Sequence, residues 1–277
     1  MEKTYLFVPG NRPDRFEKAI RSEADAVIID LEDSVALEDK VEVRKIVSEA
    51  LNELDLHSKK IFIRVNDRNS AYWKEDVSLV SRYPSIGIVM PKVESREDIE
   101  QLNKQLLSEQ KIIPLIETAS GVIHAYTIAC SSKNIERLAF GAVDYCLDLG
   151  ISLTKDGAEL LYPRSQVAVA SKAAGIMSPI DTVFVDINDK EGLITETIRA
   201  KDLGFSAKLC IHPLQVETIN NLLLPTDDEI RWAVEVADTF EEAEREGIAA
   251  INLKGKMIDY PVYKQALLTI ERFYSVK

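Results

Sequence analysis

An alternation constrains this chain more than any other feature. Short apolar runs rich in β-branched residues recur as TYLFVP, AVIID, KIFIRV, IGIVMP, IIPLIE, LAFGAV, DTVFVD and AKLCIHP. Between them lie amphipathic stretches of helical length, such as RPDRFEKAIRSE, LEDKVEVRKIVSEALNEL and SREDIEQLNKQLL. The runs are continuous rather than alternating, the pattern of strands covered on both faces of a parallel sheet. About eight such units in succession predict a (β/α)8 TIM barrel over residues 1–225. A doubly wound open sheet fits less well. It would usually have fewer strands and a glycine-rich first turn, and VPGNRPD lacks the GxGxxG pattern.

Local signals support this partition. Ser95, with Asp98 three residues on, predicts a capped helix start. Gly175 and Gly204 stand where helices should stop before the seventh and eighth strands. Residues 226–277 read differently. TDDEIRWAVEVADTFEEAEREG is an amphipathic helix capped by Thr226 or Asp227, IAAINLKGKMID is a hairpin turning at Gly255, and PVYKQALLTIERFY is a helix with Pro261 in its first turn. The expectation is a C-terminal helix–hairpin–helix extension.

Charge and cysteine content narrow the function. A net charge of -12 argues against a nucleic-acid or anionic-membrane surface, so cations that meet an anionic ligand must be local. Cys130, Cys146 and Cys210 are sparse and far apart, which favours a reducing cytoplasm over a disulfide framework. The N-terminal apolar run is too short for a signal peptide, and no stretch approaches a membrane span.

A barrel presents its chemistry at the C-terminal strand ends. There this chain places Gly10, Asn11 and Arg12; Asp30, Glu32 and Asp33; Arg64 and Asn66; Lys92 and Glu94; Glu117 and Thr118; Asp144; Asp186; and His212. Arg64, Lys92 and Glu117 are not turn residues, and so many charges need mutual compensation or a ligand. Glu117 and Asp144, read as ending adjacent strands five and six, suit Mg²⁺ held by two carboxylates and waters. The other reading makes Glu117 an ion-pair partner of Arg64 or Lys92. His57, His124 and His212 have no zinc spacing, and His212 reads as a packed turn residue. Lys92 fits a Schiff base less well than an ion pair with Glu32 or Asp33. Arg12 and Arg15 suit an anion site or a solvated helix equally.

LFVPGNRPDRFEKA, DLEDSV, RVN, MPKVES, LIETASGV, FGAVDY, AAGI and GKMIDYPV occur in an order that resembles the citrate lyase beta-subunit family. That family belongs with the malyl-CoA and citramalyl-CoA lyases and the 2-keto-acid aldolases. The resemblance implies a Mg²⁺-dependent carbon–carbon lyase. Its substrate would be a 3-hydroxyacyl thioester of citryl, citramalyl or malyl type, on CoA or on an acyl carrier. It implies Glu117 and Asp144 as metal ligands, Arg64 as stabiliser of the thioester or enolate oxygen, and Asp259 as the carboxylate exchanging a proton with the acetyl methyl. Glu32 and Asp33 would organise basic groups and water near the metal. Gly10, Asn11, Arg12 and Lys92 would meet the substrate. A homo-oligomer is implied, a trimer favoured, with the Asp259 segment working over a neighbour's site. Two departures stand out: Val143 replaces an acid found in many members, and GFSAKLCIHP lacks their usual glycine. A metal-dependent 4-hydroxy-2-keto acid aldolase is the alternative enzyme. A partner subunit, inactive without citrate lyase alpha and carrier subunits, is the alternative outside catalysis.

Overall fold

The computed structural model describes residues 2–274. Strands β1 (Thr4–Pro9), β2 (Ala26–Asp30), β3 (Lys60–Arg64), β4 (Ile86–Met90), β5 (Ile112–Ile116), β6 (Ala139–Phe140), β7 (Ile180–Asp181) and β8 (Ala207–Cys210) form a closed barrel in sequence order. All pairs are parallel, and β1 closes on β8 through Thr4–Lys208, Tyr5–Leu209 and Leu6–Cys210. The helices are α1 (Phe16–Ile20), α2 (Lys40–Glu53), α3 (Trp73–Val80), α4 (Arg96–Asn103), α5 (Ala119–Ala129), α6 (Ala142–Leu149), α7 (Leu161–Ala173), α8 (Lys190–Asp202) and α9 (Pro213–Leu222). Every residue of β2, β4 and β5 is buried, as continuous apolar runs require. Ser95 and Asp98 form the expected capping box of α4.

Two stretches depart from expectation. LAFGAV is not one strand: the sheet ends at Phe140, and α6 starts one residue beyond Gly141. DTVFVD contributes only Asp181 to β7. Its later backbone is satisfied by side chains instead of a ladder: Gln215 Nε2 donates to the Phe184 carbonyl at 2.8 Å. The Thr182 hydroxyl accepts the Ala142 N–H at 2.9 Å. Propensity alone does not show such competition.

Side-chain parity sorts the barrel interior. Tyr5, Ala26, Ile28, Phe62, Val89, Ile113, Leu115, Ala139, Ile180, Ala207 and Leu209 share one inward cluster. Their neighbours therefore point out to the helices. Asp181 and Lys208 are such neighbours, and both are fully buried. Lys208 Nζ lies 2.6 Å from Asp181 Oδ2 and 2.7 Å from Glu196 Oε1, while Arg164 Nε bonds Asp181 Oδ1 at 2.8 Å. This network pins α7 and α8 to the barrel.

Residues 2–220 form one compact unit and the chain from 221 on forms a second. The second contains α10 (Asp227–Arg245), a hairpin of β9 (Ile251–Leu253) and β10 (Lys256–Ile258), and α11 (Tyr260–Tyr274). Ala233, Val236, Phe240, Ile258 and Ala266 form its core. The Phe240 ring stacks on Tyr263 at 4.9 Å and meets Tyr260 edge-on at 5.1 Å. Thr226 and Glu229 cap α10 reciprocally.

Removing one partner of a buried charge network strands the others without solvent. Lys208→Met should therefore cost about 3–5 kcal/mol. A urea midpoint like wild type would show the network contributes nothing.

Candidate active site

Inward parity also builds the mouth. Asp30 follows Ala26 and Ile28, Arg64 follows Phe62, and Glu117 follows Ile113 and Leu115 at spacing two. The same row that fills the barrel thus delivers charge at its top. Arg64 Nε and Nη2 donate to Asp30 Oδ1 and Oδ2, both at 2.7 Å. Its Nη1 lies 3.0 Å from Asp33 Oδ2 and 2.9 Å from Glu32 Oε2. The Glu32 contact is off the line of any N–H, so Glu32 Oε2 is buried without a hydrogen bond. The guanidinium also sits over the Phe7 ring, 4.9 Å from its centroid.

Asp30 closes its own loop by accepting the N–H groups of Glu32 at 2.9 Å and Ser34 at 3.0 Å. Burial favours its neutral form, but the Arg64 charge and these bonds reverse that and hold its carboxyl below the usual range. Lys40 Nζ, on α2, donates to the carbonyls of Leu31 at 2.8 Å and Glu32 at 2.6 Å.

Glu117 is 2% exposed at the end of β5, one residue before the Thr118 cap of α5. Gly141 makes its space: a Cβ there would stand 2.5 Å from Glu117 Oε2. Burial pushes the Glu117 carboxyl well above its ordinary range, and the charges of Glu32 and Asp144 push it further. The Arg64 charge and the Lys92 N–H oppose this. Asp144 does not end β6 as expected. It lies in the first turn of α6 and lines the cavity at the mouth. Lys92 pairs with Glu32 as one expectation had it, at 3.8 Å, and with Asp144 rather than Asp33, at 3.6 Å. Glu117 forms no ion pair with Arg64 or Lys92 among the described residues; it accepts the Lys92 backbone N–H at 2.9 Å.

A cavity of about 420 Å³ opens over these groups, lined by Phe7, Asp30, Asp33, Arg64, Glu117, Val143, Asp144 and Ile211 among others. A larger cavity of about 890 Å³ adjoins it along Phe7, Pro9 and Ile211, and carries Arg15, Lys18, Arg21 and His212. The chemistry belongs to the smaller one, where the carboxylates converge.

The sequence of residues 3–213 matches the HpcH/HpaI aldolase/citrate lyase family. The chain belongs to that family. It is 35% identical over 276 residues to citrate lyase subunit beta of Leuconostoc mesenteroides subsp. cremoris, covering 96% of this chain and 91% of that protein. It is 30% identical to mitochondrial citramalyl-CoA lyase of Homo sapiens, covering 99% of this chain and 86% of the relative. The crystal structure of protein CitE from Mycobacterium tuberculosis in complex with magnesium, acetoacetate and coenzyme A superposes with a TM-score of 0.85, at 31% identity, covering 99% of this chain and 98% of that one.

In this member of the family, Glu32, Asp33, Arg64, Lys92, Glu117 and Asp144 gather at one mouth. The Gly10 N–H donates to the Asp30 carbonyl at 2.8 Å and is no free donor for substrate. Its small size matters instead, since a Cβ would meet that carbonyl at 2.8 Å. Arg12 forms a bidentate pair with Asp14 at the surface. Asn11 is half-buried at the β1 turn. Asp259, in the second unit, accepts the Val262 N–H at 3.2 Å, so it caps α11. Beside it Ile258 is buried, while Met257 is 69% exposed. Lys40 and Gly141 escaped the sequence reading. Gly141 was findable, because it continues the inward row of Ala139; a lone lysine opening α2 sends no such signal.

The donor set fits a hard divalent cation. Among the described residues no three His, Cys, Asp or Glu side chains form a cage. Two carboxylates with open positions are what Mg²⁺ accepts when waters and substrate supply the rest. The crowding of Glu117 by burial and two like charges is the condition such a cation relieves.

Burial, with Asp33 and Asp30 nearby, pushes Glu32 from an ordinary 4.5 up to about 7, against the pull of Arg64 and Lys92. The folded protein thus favours neutral Glu32. That contribution is complete below pH 4.5 and is lost as pH rises towards 7. In chelator, Glu32→Gln should match wild type near pH 4.5 and exceed it by about 3 kcal/mol at pH 8. A difference that does not grow with pH in denaturant melts would refute this assignment of charge.

Proposed function

We propose that this chain is a Mg²⁺-dependent carbon–carbon lyase cleaving a 3-hydroxyacyl thioester to a 2-keto acid and an acetyl thioester. One observation carries the reading: a buried glutamate crowded by carboxylates, beside an arginine already held rigid by an aspartate. Glu117 and Asp144 would hold the ion, which supplies a Lewis acid and a template for the substrate's hydroxyl and carboxylate oxygens. Arg64 cannot reorient, because Asp30 grips two of its nitrogens. Its remaining N–H groups would meet charge on the thioester oxygen as the substrate hydroxyl gives up its proton to water, its C–O becomes the keto C=O, and the C–C electron pair moves into the enolate. Glu32 and Asp33 would keep the guanidinium and nearby water in place. Asp259 would protonate the enolate carbon, or take a methyl proton in the synthetic direction.

Arg15 and Lys18 of the 890 Å³ cavity, beside the Arg21–Glu17 pair and Asp14, suit the phosphates of a CoA or carrier-bound pantetheine handle. The relative from Mycobacterium tuberculosis holds magnesium, acetoacetate and coenzyme A. The beta-subunit relatives favour a second reading, in which the chain works beside citrate lyase alpha and carrier subunits. Three cysteines without disulfides fit a cytoplasmic setting. Among the described residues no helix is long and apolar enough to cross a membrane.

Self-association into a homo-oligomer, a trimer favoured, is part of the proposal. Helix α5 reads ASGVIHAYTIA without a charged residue, yet exposes Ile123 and Tyr126. Leu147 of α6 is 78% exposed, and Tyr162 and Val169 of the neighbouring α7 are exposed too. Large apolar side chains gathered on exposed helix faces are a common mark of an interface. A second copy is the occupant that a chain of net charge -12 can supply through the uncharged α5.

A panel of citryl-, citramalyl- and malyl-CoA should show keto acid release that EDTA abolishes. Glu117→Gln and Asp144→Asn should lose Mg²⁺ binding in calorimetry and at least 100-fold in turnover, about 3 kcal/mol, while circular dichroism stays native. Full activity in EDTA with borohydride trapping on Lys92 would instead establish a Schiff base.

Asp259→Asn should remove turnover and acetyl-methyl proton exchange with solvent while Mg²⁺ affinity is kept. Mixing Asp259→Asn with Glu117→Gln chains should restore part of the activity if the segment serves a neighbour's mouth. Wild-type methyl exchange in Asp259→Asn would take this residue out of the mechanism.

A further inference from the structure

Lys92, in the turn after β4, has φ +49°. Among the described residues only one other non-glycine residue, Lys254 in the hairpin turn, has positive φ. A residue with a Cβ adopts that conformation only where its surroundings hold it there. Here it aims two groups of one residue in two directions. The backbone N–H reaches Glu117 Oε1 at 2.9 Å. The ammonium stands 3.6 Å from Asp144 Oδ1 and 3.8 Å from Glu32 Oε1. One residue therefore touches both proposed Mg²⁺ ligands, one by main chain and the other by side chain.

The two contacts differ in kind. The N–H bond is short and fixes the Glu117 carboxylate. The ammonium contacts are beyond hydrogen-bond length, and the side chain is 36% exposed, so it neutralises without being locked. Of the other cations at this mouth, Lys40 bonds the Leu31 and Glu32 carbonyls, and Arg64 bonds Asp30 and Asp33 and lies against Glu32. It forms no ion pair with Glu117 or Asp144 among the described residues. Compensation of Asp144 therefore falls to Lys92.

We infer that Lys92 is a positioning residue: its ammonium is the built-in counterion of the metal-free mouth and yields to the divalent cation, while its N–H keeps Glu117 aimed in both states. The inference rests on Glu117 and Asp144 being the metal ligands. A single positive charge about 4 Å from a carboxylate competes with a double charge seeking the same oxygen. Lys92 thus protects the metal-free protein from repulsion among Glu32, Glu117 and Asp144, and in doing so weakens Mg²⁺ binding. The ion would then be held firmly only when the substrate's own oxygens join it.

The test is Mg²⁺ calorimetry on chelator-washed wild type, Lys92→Met, Lys92→Gln, Lys92→Arg and Lys92→Val, paired with melting temperatures in EDTA and in saturating Mg²⁺. Lys92→Met and Lys92→Gln should bind Mg²⁺ about tenfold tighter. They should melt lower in EDTA and show a larger Mg²⁺-induced rise than wild type. Lys92→Arg should restore wild-type affinity and a wild-type rise. Lys92→Val, whose branched Cβ resists positive φ, should misplace the N–H and bind Mg²⁺ more weakly than Lys92→Met. Unchanged or weaker binding in both Lys92→Met and Lys92→Gln would overturn the counterion role alone. Wild-type Mg²⁺ binding in Glu117→Gln and Asp144→Asn would remove the metal assignment beneath it.

Discussion

The rest of the mouth depends on the buried pair of Arg64 and Asp30. Two parallel hydrogen bonds of 2.7 Å fix the guanidinium plane. The same aspartate accepts two N–H groups of the following loop, so one carboxylate orients an arginine and folds the segment bearing Glu32 and Asp33. A buried pair of this kind is costly to assemble and costlier to break, about 3–5 kcal/mol when one partner is lost. Its value lies in direction: an arginine that cannot turn is a preorganised donor.

Around that pair the mouth carries more negative than positive charge. Asp30, Glu32, Asp33, Glu117 and Asp144 face Arg64, Lys92 and Lys40, five carboxyl groups against three cations. The balance is local and functional in character, because the structural network of Arg164, Asp181, Lys208 and Glu196 is matched two against two. One cluster is closed on itself and anchors helices; the other is left short of positive charge over an open cavity. That contrast, more than any single residue, points to a cationic ligand.

Much of this was legible along the chain. Continuous apolar runs announced parallel strands, and β2 to β5 lie where they were expected. The carboxylates after AVIID and the glutamate of LIET were visible as charge where strands end. Other parts were not. Helix α6 hid because AVDYCLDL is as apolar as a strand, and only the break at Gly141 divides it from β6. The truncation of β7 depends on Gln215, distant in sequence, satisfying the Phe184 carbonyl. Lys40 works through two carbonyls, a role that no spacing in the chain marks.

The sequence by itself determined which residues share a face of each strand, since strand side chains alternate with a period of two. That parity groups Asp30 with Ile28, Arg64 with Phe62 and Glu117 with Leu115, and closure of the barrel turned those rows inward. Only the tertiary structure decided which charges meet. Asp144 comes to Lys92 because the chain turns into α6 directly after β6, and Glu117 has room because Gly141 lacks a side chain. Pairing over a few ångströms is set by where helices and turns close in space, and electrostatic energy at that range changes with each of those distances.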